Sequence, residues 1–230
     1  MRNDLFFKPL AMIQVEGSSH YLYDIFISYK RHPEWDNWVQ EHIRNLLDTY
    51  LTQELARAPE IFIDDKIEIG SDWPEQLGRN LGGAKILIPI LSKDYFASDW
   101  CIHELDLMHG RLLRHPECRI IIPLIRHDGD MIPSEINRIK SYDIKKFGNP
   151  DIQRRTPRYE QFSDVIGEIA PLIANAIQQA PTYNSAWQAE CTCRFDSLYK
   201  ARTGSGDKPD VATLTLKTSL SNLSPPRVVL

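Results

Sequence analysis

An α/β fold of the flavodoxin-like kind, doubly wound around a parallel five-stranded sheet, is what this sequence predicts. Three observations lead there. Short runs such as Tyr23–Tyr29, Lys85–Ser92 and Arg119–Arg126 are apolar almost throughout instead of alternating, as strands buried on both faces must be. Apolar residues between them recur at helical spacing. The two kinds of segment then alternate, strand and helix, for most of the chain.

Taken in order, residues 1–21 form an N-terminal arm without clear periodicity. The first strand is Tyr23–Tyr29 (Tyr-Asp-Ile-Phe-Ile-Ser-Tyr), followed by the polar turn Lys30-Arg31-His32-Pro33. Trp35, Trp38, Val39, Ile43, Leu46, Leu47 and Tyr50 place a helix over about residues 34–53. Ile61–Asp65 is the second strand and ends on two acids. After a loop over 66–73, Asp72 and Glu75 have capping-box spacing, Pro74 suits a first helical turn, and Gly82-Gly83 stops a short helix. Lys85–Ser92 is the third strand, Arg119–Arg126 the fourth and Tyr142–Ile144 the fifth, after a poorly defined segment 133–140. Phe162, Val165, Ile166, Ile169, Ile173 and Ile177 close the domain with an amphipathic helix, in which Pro171 is a place for a kink. These elements make one domain over residues 22–180. From residue 181 on, Ser, Thr, Gly and Pro accumulate, and Lys200 onward carries five basic residues against two acidic. That composition reads as an extension, 181–230, that is mostly disordered or orders against a partner or another copy, with one weakly alternating stretch at 211–220.

Composition narrows the function. Net charge is −4, so no basic excess exists to neutralise a phosphate backbone, and nucleic acid is not an expected partner. No apolar run approaches the ~20 residues of a membrane span, and the first twenty residues mix Arg2, Asp4 and Lys8 into their apolar stretch unlike a signal peptide. Four scattered cysteines read as reduced thiols of a cytoplasmic protein. Cys191 and Cys193 lack the second pair or nearby histidine that a zinc site needs, so no metal is expected.

The stretch that carries chemistry is Ser98-Asp-Trp-Cys-Ile-His-Glu-Leu105. Ser98 suits an N-cap, and Asp99 the positive end of the helix dipole. On the helix that follows, Cys101, Leu105, Met108 and Leu112 form the packing stripe, while Trp100, Glu104 and Arg111 share its flank. A carboxylate at that boundary is a candidate working acid, or one half of a surface ion pair.

Four pieces, Tyr23-Asp-Ile-Phe-Ile-Ser-Tyr29, Phe62-Ile-Asp-Asp65, Ile69-Gly70 and Ser98-x-Trp-Cys-x-x-Glu-Leu105, stand in the order and spacing of a Toll/interleukin-1 receptor (TIR) domain. The chain resembles that family over about residues 22–178, and the last piece is most similar to its plant and bacterial enzymatic branch. The resemblance implies cleavage of NAD+ between nicotinamide and ribose, giving ADP-ribose or a cyclised form, with Glu104 as the catalytic carboxylate. NAD+ is then a substrate, and no separate cofactor is needed. It further implies self-association through TIR–TIR contacts, and a role in bacterial anti-phage signalling with a downstream effector that responds to the product. Tyr29, Lys30 and Arg31 sit at the carboxyl edge of the first strand, where such sheets bind ligands. They would stack on a ring and face the pyrophosphate, or plug the core and stay solvated. Asp64 is a ligand contact or a strand end. Trp73 covers the pocket, packs between subunits, or staples the next helix. Ser98, Trp100 and Cys101 shape the pocket, and Cys101, on the packing stripe, is not a nucleophile. The first turn lacks the Gly-Glu-Asp of many plant members. Two rivals are a non-catalytic TIR adaptor and a receiver-like domain. The second is disfavoured because no Gly-rich phosphate loop follows the first strand.

Overall fold

A computed structural model describes residues 20–63, 73–127 and 132–203. The arm before His20, Asp64, Asp65 and Asp72 with the loop between them, and the alternating stretch 211–220 lie outside the described residues.

Five parallel strands form one sheet in the order β2-β1-β3-β4-β5. β1 (Tyr23–Ser28) and β3 (Ala84–Leu91) are its centre, and Ile25, Phe26, Ile27, Ile86, Leu87 and Ile88 are wholly buried. Both faces of these strands are covered, which is why their sequences do not alternate. β2 (Ile61–Ile63) lies on one edge, β4 (Leu124–Ile125) and β5 (Tyr142–Asp143) on the other. The strand order reverses at β1, so the β1–β2 crossover covers one face of the sheet and the crossovers that follow it cover the other, as in flavodoxin-like sheets.

The fourth strand is shorter than expected. Of the run 119–126 only Leu124 and Ile125 pair in a strand, with a separate bridge from Ile121 to Leu87. Pro123 has no N–H to give and interrupts the ladder. The first helix is longer than expected: α1 (Pro33–Trp38) and α2 (Asn45–Leu55) join through a π-helical turn at Val39–Arg44. The poorly defined segment contains one turn, α6 (Ser134–Asn137). α7 (Pro157–Gln178) runs through Pro171 as one helix, with Thr156 Oγ1 accepting from the Tyr159 N–H at 3.2 Å as its cap.

Two cores result. Under α1, α2 and α7, Trp38 and Phe147 both stack near-parallel to Phe162 at ring separations of 5.8 and 5.0 Å. The other face packs α3 (Trp73–Gly82) and α5 (Asp99–Arg114), with the one-turn α4 (Lys93–Phe96) between β3 and α5.

The extension after residue 180 departs most from its composition. Ala186–Thr203 is a helix, α8, laid on α3 and α5 of its own chain. Trp187, Cys191 and Phe195, four residues apart, are its buried stripe. The signal is in the sequence, but the Ser/Thr/Gly/Pro content of the whole extension masks it. Contact with α3 is backbone to backbone: a Cβ at Gly78 would lie 2.4 Å from the Thr192 amide nitrogen, and one at Gly82 2.5 Å from Gln188 Cα. Only glycine allows that approach. Arg114–Glu190 and Arg194–Asp106 ion pairs, both at 3.0 Å, and an Arg202–Asp99 pair tie α8 along α5.

Candidate active site

The arrangement of the site follows from the pleat of β1. Ile25, Ile27 and Tyr29 point into the core beneath α2 and α7, and Phe26 into the core beneath α3 and α5. Ser28 therefore faces α5 at the carboxyl end of the sheet, where its register partner on β3 is Pro89. Its Oγ donates a hydrogen bond to Glu104 Oε2. The same Oγ is 3.0 Å from the hydroxyl of Tyr95, which in turn donates to the Cys101 carbonyl at 3.1 Å. Ser28, Tyr95 and Glu104 are all buried, Glu104 to 4% exposure. Burial first, then Cys101 and Glu104 beside it, pushes the Tyr95 phenol well above its ordinary value, so it is a neutral hydroxyl.

Two positions assigned to the helix flank are thus interior. Glu104 is covered by β1 and Tyr95. Arg111 is 2% exposed, bonded to the Ala84 carbonyl at 2.7 Å and the Gly82 carbonyl at 3.2 Å, with the Trp187 ring 4.2 Å from its guanidinium. A helical wheel of α5 alone cannot show that α8 covers that flank.

Trp100, one turn before Glu104, is half-buried among aromatics. Trp73 meets it edge-on at 4.1 Å, and Phe195 of α8 stacks near-parallel at 5.8 Å with Arg202 at 5.8 Å. Ser98 occupies the N-cap position of α5 and is buried, but its side chain makes no capping bond. Cys101 is buried in the apolar core. Lys30 and Arg31 are exposed at the carboxyl edge. Tyr29, in contrast, is 7% exposed with its ring on the opposite face from Glu104, where it packs in the core. Asp64 lies outside the described residues. Among those residues no cluster of metal-ligating side chains occurs. Cys191 is buried and Cys193 exposed on α8, and burial pushes the Cys191 thiol up to about 12.

Sequence reading missed Ser28, Tyr95 and the pair Trp35–Arg126. The alternation of β1 pointed to Ser28, since it must face away from Tyr29. No sequence signal pointed to Tyr95. Arg126 follows β4, and its guanidinium lies 3.6 Å from the centre of the Trp35 ring. Burial lowers its pKa, against a partial offset from Asp94. This places a third cation at the carboxyl edge with Lys30 and Arg31.

The profile of the TIR domain matches residues 25–156, more than half of the chain. The protein belongs to the TIR-domain family. Two relatives from Arabidopsis thaliana also match: Protein SUPPRESSOR OF npr1-1, CONSTITUTIVE 1, at 32% identity over 38% of this chain, and Disease resistance protein TAO1, at 26% over 66%. The alignments span only 5% and 12% of those proteins. Among solved structures, the TIR domain of the Toll-related Receptor TRR-2 from Hydra magnipapillata covers 62% of this chain and 98% of its own at 17% identity, with a TM-score of 0.39. In this TIR domain the matched region contains most of β1, all of β2 through β5, Ser28 and Glu104, whereas α8 lies beyond it. Among the described residues no helix is long and apolar enough to cross a membrane.

Proposed function

We propose that this TIR domain is an NAD+ glycohydrolase or ADP-ribosyl cyclase, cytoplasmic, activated by self-assembly, and acting in bacterial anti-phage signalling with its product read by a downstream effector. The observation that carries the reading is the placement of Glu104. Its carboxylate sits on the second turn of α5 at the carboxyl edge of the sheet, held by Ser28 and next to the Trp73–Trp100 aromatic pair. Open α/β sheets bind ligands at this edge, beside the strand-order reversal.

One carboxylate is enough for this reaction. Nicotinamide departs from a pyridinium as a neutral amine and takes the C–N electron pair with it, so no general acid is required, unlike in ordinary glycoside hydrolysis. The developing oxocarbenium on the ribose is stabilised by an anion beside it, and hydrogen bonds donated by ribose hydroxyls to the Glu104 carboxylate fix the sugar. Water then adds to the anomeric carbon and gives its proton to Glu104. In a closed site an adenine nitrogen attacks instead and yields the cyclic product. Lys30, Arg31 and Arg126 supply positive charge for the pyrophosphate.

The test is NAD+ consumption by the full chain over a series of protein concentrations, with separation of products and Glu104→Gln alongside. Glu104→Gln is the informative variant because the site is buried, and the amide keeps the volume and an acceptor for Ser28. Turnover is expected to rise faster than protein concentration and to fall on the order of 10³-fold in the variant. A variant as active as wild type would refute the assignment of Glu104. A TIR adaptor that scaffolds partners without turnover is the second reading, and the deep burial of Glu104 is what favours it. Partner capture with no NAD+ loss at any concentration would select it.

A further inference from the structure

We propose that Ser28 and Tyr95 are positioning residues for Glu104, forming a chain of hydroxyls that holds its carboxyl group in one orientation whether or not it carries a proton. The proposal rests on the reading of Glu104 as the working carboxylate.

Four groups lie in sequence: Glu104 Oε2, Ser28 Oγ, Tyr95 Oη and the Cys101 carbonyl, with the last two links at 3.0 and 3.1 Å. Each hydroxyl has one proton, free to rotate, and can also accept. With Glu104 ionised, Ser28 donates to the carboxylate and Tyr95 donates to Ser28. With Glu104 protonated, the order reverses: Glu104 donates to Ser28, Ser28 to Tyr95, and Tyr95 to the Cys101 carbonyl. The carbonyl oxygen has a second lone pair, so it accepts from Tyr95 without giving up its helical bond. The protonated chain fills all three links; the ionised chain, with one proton fewer, leaves the Tyr95–Cys101 link open. The Glu104–Ser28 bond is made in both, and apart from the added proton only hydroxyl hydrogens move between them.

This matters because hydrolysis changes the charge of the group. The proton released when water adds to the ribose is taken up by Glu104 and returned to solvent before the next turnover. A buried carboxyl group that gained a proton with nowhere to donate it would turn away or stay unsatisfied. The chain removes that reason to move. Its members come from three elements, β1, α4 and α5, so the carboxyl is fixed relative to the sheet as well as to its own helix. Tyr95 is itself pinned: its ring is wholly buried and its N–H donates to Ser92 Oγ at 3.2 Å. The phenol remains a neutral donor throughout.

Ser28→Ala, Tyr95→Phe, the double variant and Ser28→Thr, all in the full chain, test the proposal with two readouts. One is kcat and KM for NAD+. The other, independent of activity, is the NMR order parameter of the Glu104 Cγ methylene. Ser28→Ala is expected to lower kcat about 10–100-fold with KM within about twofold, because a misaimed group loses rate more than binding. Tyr95→Phe has a smaller effect, and the double variant is no worse than Ser28→Ala, because Tyr95 acts through Ser28. Ser28→Thr, which keeps the hydroxyl, restores kcat. The order parameter falls in Ser28→Ala and Tyr95→Phe. An unchanged order parameter in both variants overturns the proposal, and so do fully additive losses. Tyr95→Phe keeps the ring and its packing, so it reads the chain even if Ser28→Ala does not fold. A lowered order parameter in a protein without NAD+ turnover supports the positioning role and defeats the NAD+ reading. Unchanged order with normal turnover does the opposite.

Discussion

Two carboxylates are buried at opposite ends of the sheet, and the protein treats them in opposite ways. Asp24, at the amino edge of β1, is saturated. Arg57 bonds both its oxygens at 2.6 and 2.7 Å, Lys85 donates at 2.8 Å, and the Glu60 N–H at 3.0 Å. Glu104, at the carboxyl edge, accepts from a serine that belongs to a run of neutral hydroxyls. Two cations and an amide fix a carboxylate as an anion, and its role ends with structure. A hydroxyl donor such as Ser28 can hold a carboxyl group by donating to it or accepting from it. The two do not differ in depth, since Asp24 is 3% and Glu104 4% exposed; they differ in the donors seen on them, two cations on Asp24 and a serine hydroxyl on Glu104.

The largest effect that would break this comparison is at Asp24. Asp24→Ala leaves Arg57 and Lys85 without their anion at the start of the central strand. Loss of one partner of a buried pair costs 3–5 kcal/mol in general. With Arg57 47% and Lys85 23% exposed, water reaches both cations, so a loss of about 3 kcal/mol is expected in urea unfolding. Turnover per folded molecule should be unchanged. If Asp24→Ala folds normally but fails to turn over NAD+, the division between a structural and a functional edge is wrong.

The pH dependence of stability sharpens the same point. Burial alone would raise the Asp24 pKa, but the hydrogen bonds from Arg57, Lys85 and the Glu60 amide outweigh it and hold the group at about 2 instead of 3.8. A lowered folded value means that the unfolded chain binds the proton more readily. The stabilisation is complete above about pH 4 and is lost as pH falls toward 2, and amounts to about 2 kcal/mol. Urea unfolding of wild type and Asp24→Asn at pH 5, 4, 3 and 2.5 isolates it, because other acids titrate alike in both. The gap between the two proteins should narrow by about 1.5 kcal/mol over that range, since at pH 2.5 the folded group is not yet fully protonated; a constant gap would mean that the Asp24 clamp is not what depends on pH.

How much of this was legible beforehand differs between the two edges. Glu104, Trp100 and Trp73 were readable because their chemistry is local: one helix turn carries Trp100 and Glu104, and an aromatic opens the neighbouring helix. The five strands were legible from unbroken apolar runs, apart from the fourth, where Pro123 cuts the ladder. The Asp24 clamp was not, since Arg57 and Lys85 are 33 and 61 residues away in sequence and nothing in their own surroundings marks them. Tyr29 was placed at the site because its position in the chain is right, yet the pleat turns its ring to the other face and presents Ser28. The interior position of Arg111 depended on α8, whose stripe of Trp187, Cys191 and Phe195 is hidden in an extension of polar composition.

The α3–α8 seam gives a smaller effect on the working face. At Gly78 a methyl group would meet the backbone of Thr192 and Cys191 at 2.4–2.8 Å, and backbone cannot swing aside as a side chain can. Gly78→Ala is therefore expected to push α8 away and cost about 1–2 kcal/mol, as overpacking does. Limited proteolysis should cut within residues 186–203 faster than in wild type. Because Phe195 and Arg202 rest on Trp100, release of α8 should also loosen that ring, which tryptophan fluorescence quenching would report. Unchanged proteolysis and quenching would show that α3 can shift to absorb the methyl, and that α8 does not brace the site.

The smallest effect is of opposite sign. Gly110 lies inside α5, the helix that bears Glu104, and a Cβ built there meets nothing within 4 Å. Glycine inside a helix leaves the unfolded chain more conformational freedom to lose, so Gly110→Ala should stabilise the protein by about 0.5–1 kcal/mol. It adds no contact and lies six residues beyond the carboxylate. If the hydroxyl chain alone sets the aim of Glu104, a stiffer α5 leaves kcat and KM where they were while the unfolding midpoint rises. A fall in kcat with raised stability would instead show that α5 must flex for the carboxylate to work. The functional edge would then differ from the Asp24 edge in its motion as well as in its donors.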